Sequence, residues 1–153
     1  MPYILSIETA TNVCTVSLAH QGKPVAARES HEARAHAKLT GQFVDELLKE
    51  IPDAREKLSA IAVSEGPGSY TGLRIGVSTA KGLAFGLGIP LIAISTLQVI
   101  ARQAARKHPL QGAWYAPVLD ARRMEVYTAF YDGDNQPMQH TQALEVAPNT
   151  FDD

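Results

Sequence analysis

The chain has 153 residues, 45% of them apolar and 20% charged, with a formal net charge of -2. This suits one globular domain or two small lobes, and it lacks the basic footprint of an autonomous nucleic-acid binder. No apolar run nears the roughly 18 residues of a membrane span, Met1-Pro2-Tyr3 has no basic signal-peptide stretch, and the single Cys14 can form no internal disulfide, so a reducing, cytoplasmic setting is expected.

Tyr3 to Glu8 (YILSIE) reads as a buried strand, and Thr9-Ala10-Thr11-Asn12 as a turn. Val13 to Ala19 alternates as a second strand, and Gln21-Gly22-Lys23 turns it into a third, Pro24 to Glu29. His36 to Ile51 has helical periodicity: Leu39, Phe43 and Leu47 form one ridge, with Val44, Leu48 and Ile51 beside it, and Pro52 stops the run.

Leu58 to Glu65 reads as a buried strand, broken by Gly66-Pro67-Gly68. Ser69 is placed to cap a helix running from Tyr70 to Leu87, with Gly88 and Pro90 as its stop. Gly68, Gly72, Gly76, Ala80, Ala84 and Gly88 recur every four residues. Each step drifts only about 40° around the helix, so the small residues make one row. An interior glycine costs roughly 1 kcal/mol of helix propensity against alanine, which is explained if another backbone approaches the row closely. Two partners fit: the chain's own domain, or a helix of another subunit, with Leu73 and Val77 supplying apolar area in the second case.

Leu91 to Ile94 then forms a strand, and Thr96 to Lys107 a helix capped by Ser95 or Thr96. Three hairpin-linked strands followed by alternating helix and strand imply an α/β fold with a mixed sheet flanked by helices, of ribonuclease-H-like type. After Gln111 the pattern restarts. Ala113 to Leu119 is a strand ending at Asp120, Met124 to Tyr131 a second and Thr141 to Val146 a third. The expected division is 1–110 for the first lobe and 111–153 for the start of a second, incomplete one, with Glu8 and Asp120 in equivalent places.

Few residues suggest chemistry. An acid at a strand end beside a hydroxyl-rich turn, Glu8 with Thr9 and Thr11, can hold hydrated Mg²⁺ and bond phosphate, or it can simply cap the turn. Asp120 is the matching candidate in the second lobe. Gly66-Pro67-Gly68 before a helix N-terminus is placed like an anion loop, but the stretch contains no GK[ST], and Pro67 removes an N–H, which favours a structural elbow. His31 and His36 lie about 140° apart on a helix and cannot form a metal pair on one face. The chain has no HExxH motif, cysteine pair or GxSxG elbow. A small buried hydrophobe is the reading for Cys14.

ILSIETAT, IAVSEGPGSYTGLRIGVSTAKGLAF and VLDARRMEVY together resemble the TsaB (YeaZ) family. These are glycoprotease-like paralogues in the actin, heat-shock ATPase and sugar-kinase superfamily. The resemblance implies an actin-like ATPase fold and a non-catalytic subunit of the machinery that makes N6-threonylcarbamoyladenosine in tRNA. It further implies pairing with a TsaD-like catalytic subunit, a TsaE-like ATPase joining them, homodimers when alone, and tRNA met only through the complex. No cofactor is expected on this chain alone, with ATP and metal on the partner subunits.

Family pairing uses the helices matching His36–Ile51 and Tyr70–Leu87. The interface residues expected are therefore Leu39, Phe43, Leu47, Gly72, Leu73, Gly76, Val77 and Ala80. Members usually carry Asp at the place of Glu8 and run beyond residue 153 into a complete second lobe, and TsaD's histidine pair has no counterpart here. Two alternatives are a nucleotide-dependent enzyme of the kinase-like fold and a glycopeptidase.

Overall fold

The structure is a computed structural model and describes residues 3–32 and 35–150. It divides into two compact units, residues 1–94 and 95–153.

In the first unit, strands β1 (Tyr3–Glu8), β2 (Cys14–His20) and β3 (Lys23–Ser30) form an antiparallel meander. Strand β4 (Leu58–Gly66) pairs parallel with β1, and β5 (Leu91–Ser95) completes a five-stranded sheet of order β3-β2-β1-β4-β5. This is the mixed sheet read from the sequence. Its core face alternates as the strand period requires: Leu5, Ile7, Val16 and Leu18 are buried, joined by Ile61 and Val63.

Helix α1 (His36–Glu50) covers that face with Phe43, Val44 and Leu47, the ridge set by its three- and four-residue spacing. Arg28 of β3 pins its outer side, donating from Nε to Glu46 at 3.1 Å and pairing also with Glu50. A short helix, α2 (Ala54–Lys57), follows a left-handed Asp53 and was not anticipated, because four residues are too few for periodicity to register.

Helix α3 (Tyr70–Leu87) begins where expected: the Ser69 Oγ accepts from the Gly72 N–H at 3.2 Å. It ends at Gly88, whose left-handed φ of 64° lets its N–H reach back to the Phe85 carbonyl at 3.2 Å.

The second unit holds helix α4 (Thr96–Lys107) and a three-stranded antiparallel sheet of β6 (Val118–Arg122), β7 (Glu125–Thr128) and β8 (Gln142–Glu145). Leu97 and Ala101 of α4 pack with Ala129 and Tyr131, and Leu119 and Tyr127 flank them. That packing is why the compact units divide before α4, whereas the sequence placed this helix inside lobe 1–110. Ser95 is the N-cap by position, but its side chain makes no capping bond; its Oγ lies 3.5 Å from the Tyr131 hydroxyl instead.

Strand β6 starts later than its apolar run. Tyr115 makes only an isolated bridge to Tyr131, and regular pairing begins at Val118 after Pro117. Asp120 therefore sits mid-strand opposite Val126 rather than at the strand's end, while Glu8 does end β1.

Candidate functional site

The most constrained place in the first unit is where β1 runs into its turn and meets the start of α3. The β1–β4 register pairs Ile7 with Val63, which brings the next residues, Glu8 and Ser64, side by side. The Ser64 hydroxyl donates to Glu8 Oε2, and the Ala10 N–H donates to Oε1 at 2.7 Å. Both oxygens of the half-buried carboxylate are thus held by the chain's own donors.

Thr9 is 1% exposed, and its hydroxyl donates to the Gly72 carbonyl at 2.8 Å. The Ser69 N–H in turn donates to the Ala10 carbonyl at 2.6 Å. Thr11 is tied as well: its Oγ1 accepts from the Val13 N–H at 3.3 Å, and its carbonyl accepts from His36 Nε2 at 3.0 Å.

The small-residue row faces this turn. A Cβ built on Gly72 would fall on the Thr9 carbonyl oxygen, one on Gly76 on the Thr9 hydroxyl oxygen, and one on Gly68 on the Ala10 carbonyl oxygen. The row does permit close backbone approach, as its spacing implies, but the approaching backbone is the chain's own. Gly72 and Gly76, expected at a partner helix, are here met by Thr9 of the same chain. Ala80 and Leu47 are 0% exposed and Phe43 8%, so these three are also spent on the unit's own core. Leu39, Leu73 and Val77 are half-buried.

Another face of α3 is open. Gly82 and Gly86 meet nothing within 4 Å of a built Cβ, and Phe85 is 91% exposed. Gly82 and Gly86, with Leu83 and Leu87 and with Gly41, Val44 and Leu48 of α1, line a groove of about 270 Å³ between the two helices. Toward the N-terminus of α3, the Arg74 guanidinium lies 5.6 Å from the centre of the Tyr70 ring, and Tyr70 is 76% exposed. The sequence signal for this face was present: Gly82 and Gly86 are a second glycine pair four apart, lying beside the first row.

Three residues have structural parts that the local pattern did not show. Ser64 becomes visible only through the β1–β4 register. His36 joins the start of α1 to the first turn. Thr40 donates to the His36 carbonyl at 2.6 Å and lies 3.5 Å from the buried Cys14 sulfur, which agrees with the core reading of that cysteine.

In the second unit, Asp120 is exposed, and its Oδ1 accepts from the Arg122 N–H at 2.7 Å. That repeats the carboxylate-to-second-residue bond of Glu8. A groove of about 530 Å³ is lined by residues 109–115 and 132–134. Asp132 Oδ1 at its edge accepts from the backbone N–H groups of Asp134 and Gln136. Among the described residues no group of three or more His, Cys, Asp or Glu is placed to hold a metal, and no helix is long and apolar enough to cross a membrane.

Residues 29–151 match the family model described as TsaD, tRNA N6-adenosine threonylcarbamoyltransferase. The chain is 37% identical over 142 residues to the tRNA threonylcarbamoyladenosine biosynthesis protein TsaB of Escherichia coli, covering 93% of this chain and 60% of that protein. Its identity to the TsaB of Bacillus subtilis is 36%, over 86% of this chain and 56% of the relative. Among solved structures, YeaZ from Pseudomonas aeruginosa aligns with a TM-score of 0.84 at 34% identity, over 97% of this chain and 71% of that one. The ethanolamine utilization protein EutJ of Carboxydothermus hydrogenoformans, at 14% identity and a TM-score of 0.56, shares the fold alone. The chain spans between half and three-fifths of the length of the curated relatives it matches first.

Proposed function

The chain belongs to the TsaB (YeaZ) family, and from that premise we propose that it serves tRNA threonylcarbamoyladenosine biosynthesis as a non-catalytic subunit that pairs with, and activates, a TsaD-type transferase. The observation that carries this reading is the closed first turn. Glu8 and Thr9, the residues best placed to meet a metal-bound phosphate, hydrogen-bond to Ser64, Ala10 and Gly72, and α3 packs its glycines onto them. Functional surface remains on the outer side of α1 and α3, where an apolar groove and an exposed Phe85 offer a helix-docking face.

In this proposal ATP and metal are handled by the partner subunits, a TsaE-like ATPase joins the pair, tRNA is met only through the complex, and the chain pairs with itself when alone. The apolar contacts are Phe85, Leu83, Leu87 and Leu48, with Leu39, Leu73 and Val77 at the margin.

Reconstitution tests this reading. Threonylcarbamoyl transfer to tRNA is measured with a TsaD-type subunit and a TsaE-like ATPase, with and without this chain. The expected result is modification that depends on the chain, while the chain alone neither turns over ATP nor modifies tRNA. Steady ATP turnover by the chain alone, abolished by Glu8→Gln, would replace this proposal with the enzyme reading.

A further inference from the structure

The exposed face of α3 carries charge of one sign only. Its two ionisable side chains are Arg74 and Lys81, and the helix contains no acidic residue. With Tyr70 and Phe85 they fall within an arc of about 60° at 100° per residue, and all four are exposed. Among the described residues neither cation has a carboxylate partner: Arg74 stacks toward Tyr70, and Lys81 appears in no ion pair.

The neighbouring helix does not balance them. On α1, Glu46 and Glu50 are engaged by Arg28 on the β3 side, and Asp45, at the groove, is paired with Lys49 at 2.5 Å. Arg55, also lining the groove, adds a third cation with no carboxylate partner among the described residues.

Resting on the pairing reading above, we propose that this face selects an acidic amphipathic helix: one that lays an apolar stripe into the Gly82–Gly86 groove and presents two carboxylates to Arg74 and Lys81. Seven residues separate the cations, so the partner carboxylates stand about 10 Å apart along its axis, two helical turns. The open glycines admit side chains from the partner, and charges at the edge of such a contact steer encounter and set which helix is accepted. A helix fits better than a nucleic acid, because Val44, Leu48, Leu83, Leu87 and three glycines make most of the groove's lining, and Arg55 is its one cationic donor for phosphate.

The test compares the parent chain with Arg74→Glu/Lys81→Glu and with Phe85→Ser, each checked for folding by circular dichroism. Association with the TsaD-type subunit of the same genome is followed at low and high salt. The expected result is an association rate about tenfold lower for the double reversal, with most of the salt dependence gone. Phe85→Ser is expected to leave that salt dependence in place and speed dissociation. A reversal that leaves rate and salt slope unchanged while Phe85→Ser weakens binding overturns the charge selection and keeps the pairing. No binding by the parent chain removes the pairing, and this inference with it. Binding of tRNA by the parent chain alone that the reversal abolishes reassigns the cations to RNA and overturns the proposal.

Discussion

The Thr9 hydroxyl donates to the carbonyl oxygen of Gly72 at 2.8 Å, joining the first turn of the sheet to the first turn of α3 across 63 residues of chain. That bond forms only because Gly72 has no side chain: a Cβ there would fall on the carbonyl oxygen of Thr9 itself. The two glycine sets of α3 should therefore respond to substitution with opposite sign.

Gly72→Ala forces a methyl against backbone that cannot swing aside. Overpacking typically costs 1–3 kcal/mol or more, and the gain in helix propensity returns only about 1. A net loss of roughly 2 kcal/mol is expected in denaturant unfolding. Gly82→Ala meets open space, so only the propensity gain is left, and the same measurement should show stabilisation of about 0.5–1 kcal/mol. Equal destabilisation by both would contradict the packing described.

Thr9→Val preserves shape but removes the donor to Gly72. Loss of one buried hydrogen bond is expected to cost about 1 kcal/mol, leaving the circular dichroism spectrum unchanged. No measurable loss of stability would mean that the bond does not fasten turn to helix.

Gly82→Leu and Phe85→Ala separate folding from pairing. Both positions are exposed, so monomer stability should stay within roughly 0.5 kcal/mol for Phe85→Ala, while truncating an interface anchor should weaken pairing by about tenfold or more. Light scattering and titration with the TsaD-type subunit read this out. Gly76→Leu, by contrast, drives a side chain into Thr9 and should unfold the first unit. A folded Gly76→Leu chain that has lost pairing would restore the inner row to the interface.

The Gln42 amide, donating to Glu46 at 2.8 Å, holds the Glu46 carboxyl below its ordinary pKa, with help from Arg28. A carboxyl depressed in the folded state stabilises above its unfolded pKa, and that contribution disappears as pH falls through the lower folded value. Glu46 is half-buried on the outer side of α1 and stays open to solvent screening, so the effect should be small. Thermal melts of Glu46→Gln should converge with those of the parent chain in acid and separate toward neutral pH. A gap that widens in acid would reverse the sign argued here.

Local pattern determined most of the first unit in advance. Alternation set β1 to β3, three- and four-residue spacing set α1, and Ser69 with Gly88 set both ends of α3, because each depends on neighbours within one or two turns of chain. The four-residue glycine row likewise fixed that some backbone must come close. It could not fix which one, since periodicity defines a face and not what covers it. The pairing of β1 with β4 carries Thr9 under α3 and Ser64 beside Glu8, which turns a candidate phosphate turn into a packed joint. It also moves the open surface to Gly82, Phe85 and Gly86. The same limit applies to α4 and Asp120. The helix was legible, but the packing of Leu97 and Ala101 on Ala129 and Tyr131, and the late start of β6 after Pro117 that leaves Asp120 mid-strand instead of at the strand's end, follow from pairings beyond the local pattern, which only the folded chain decides.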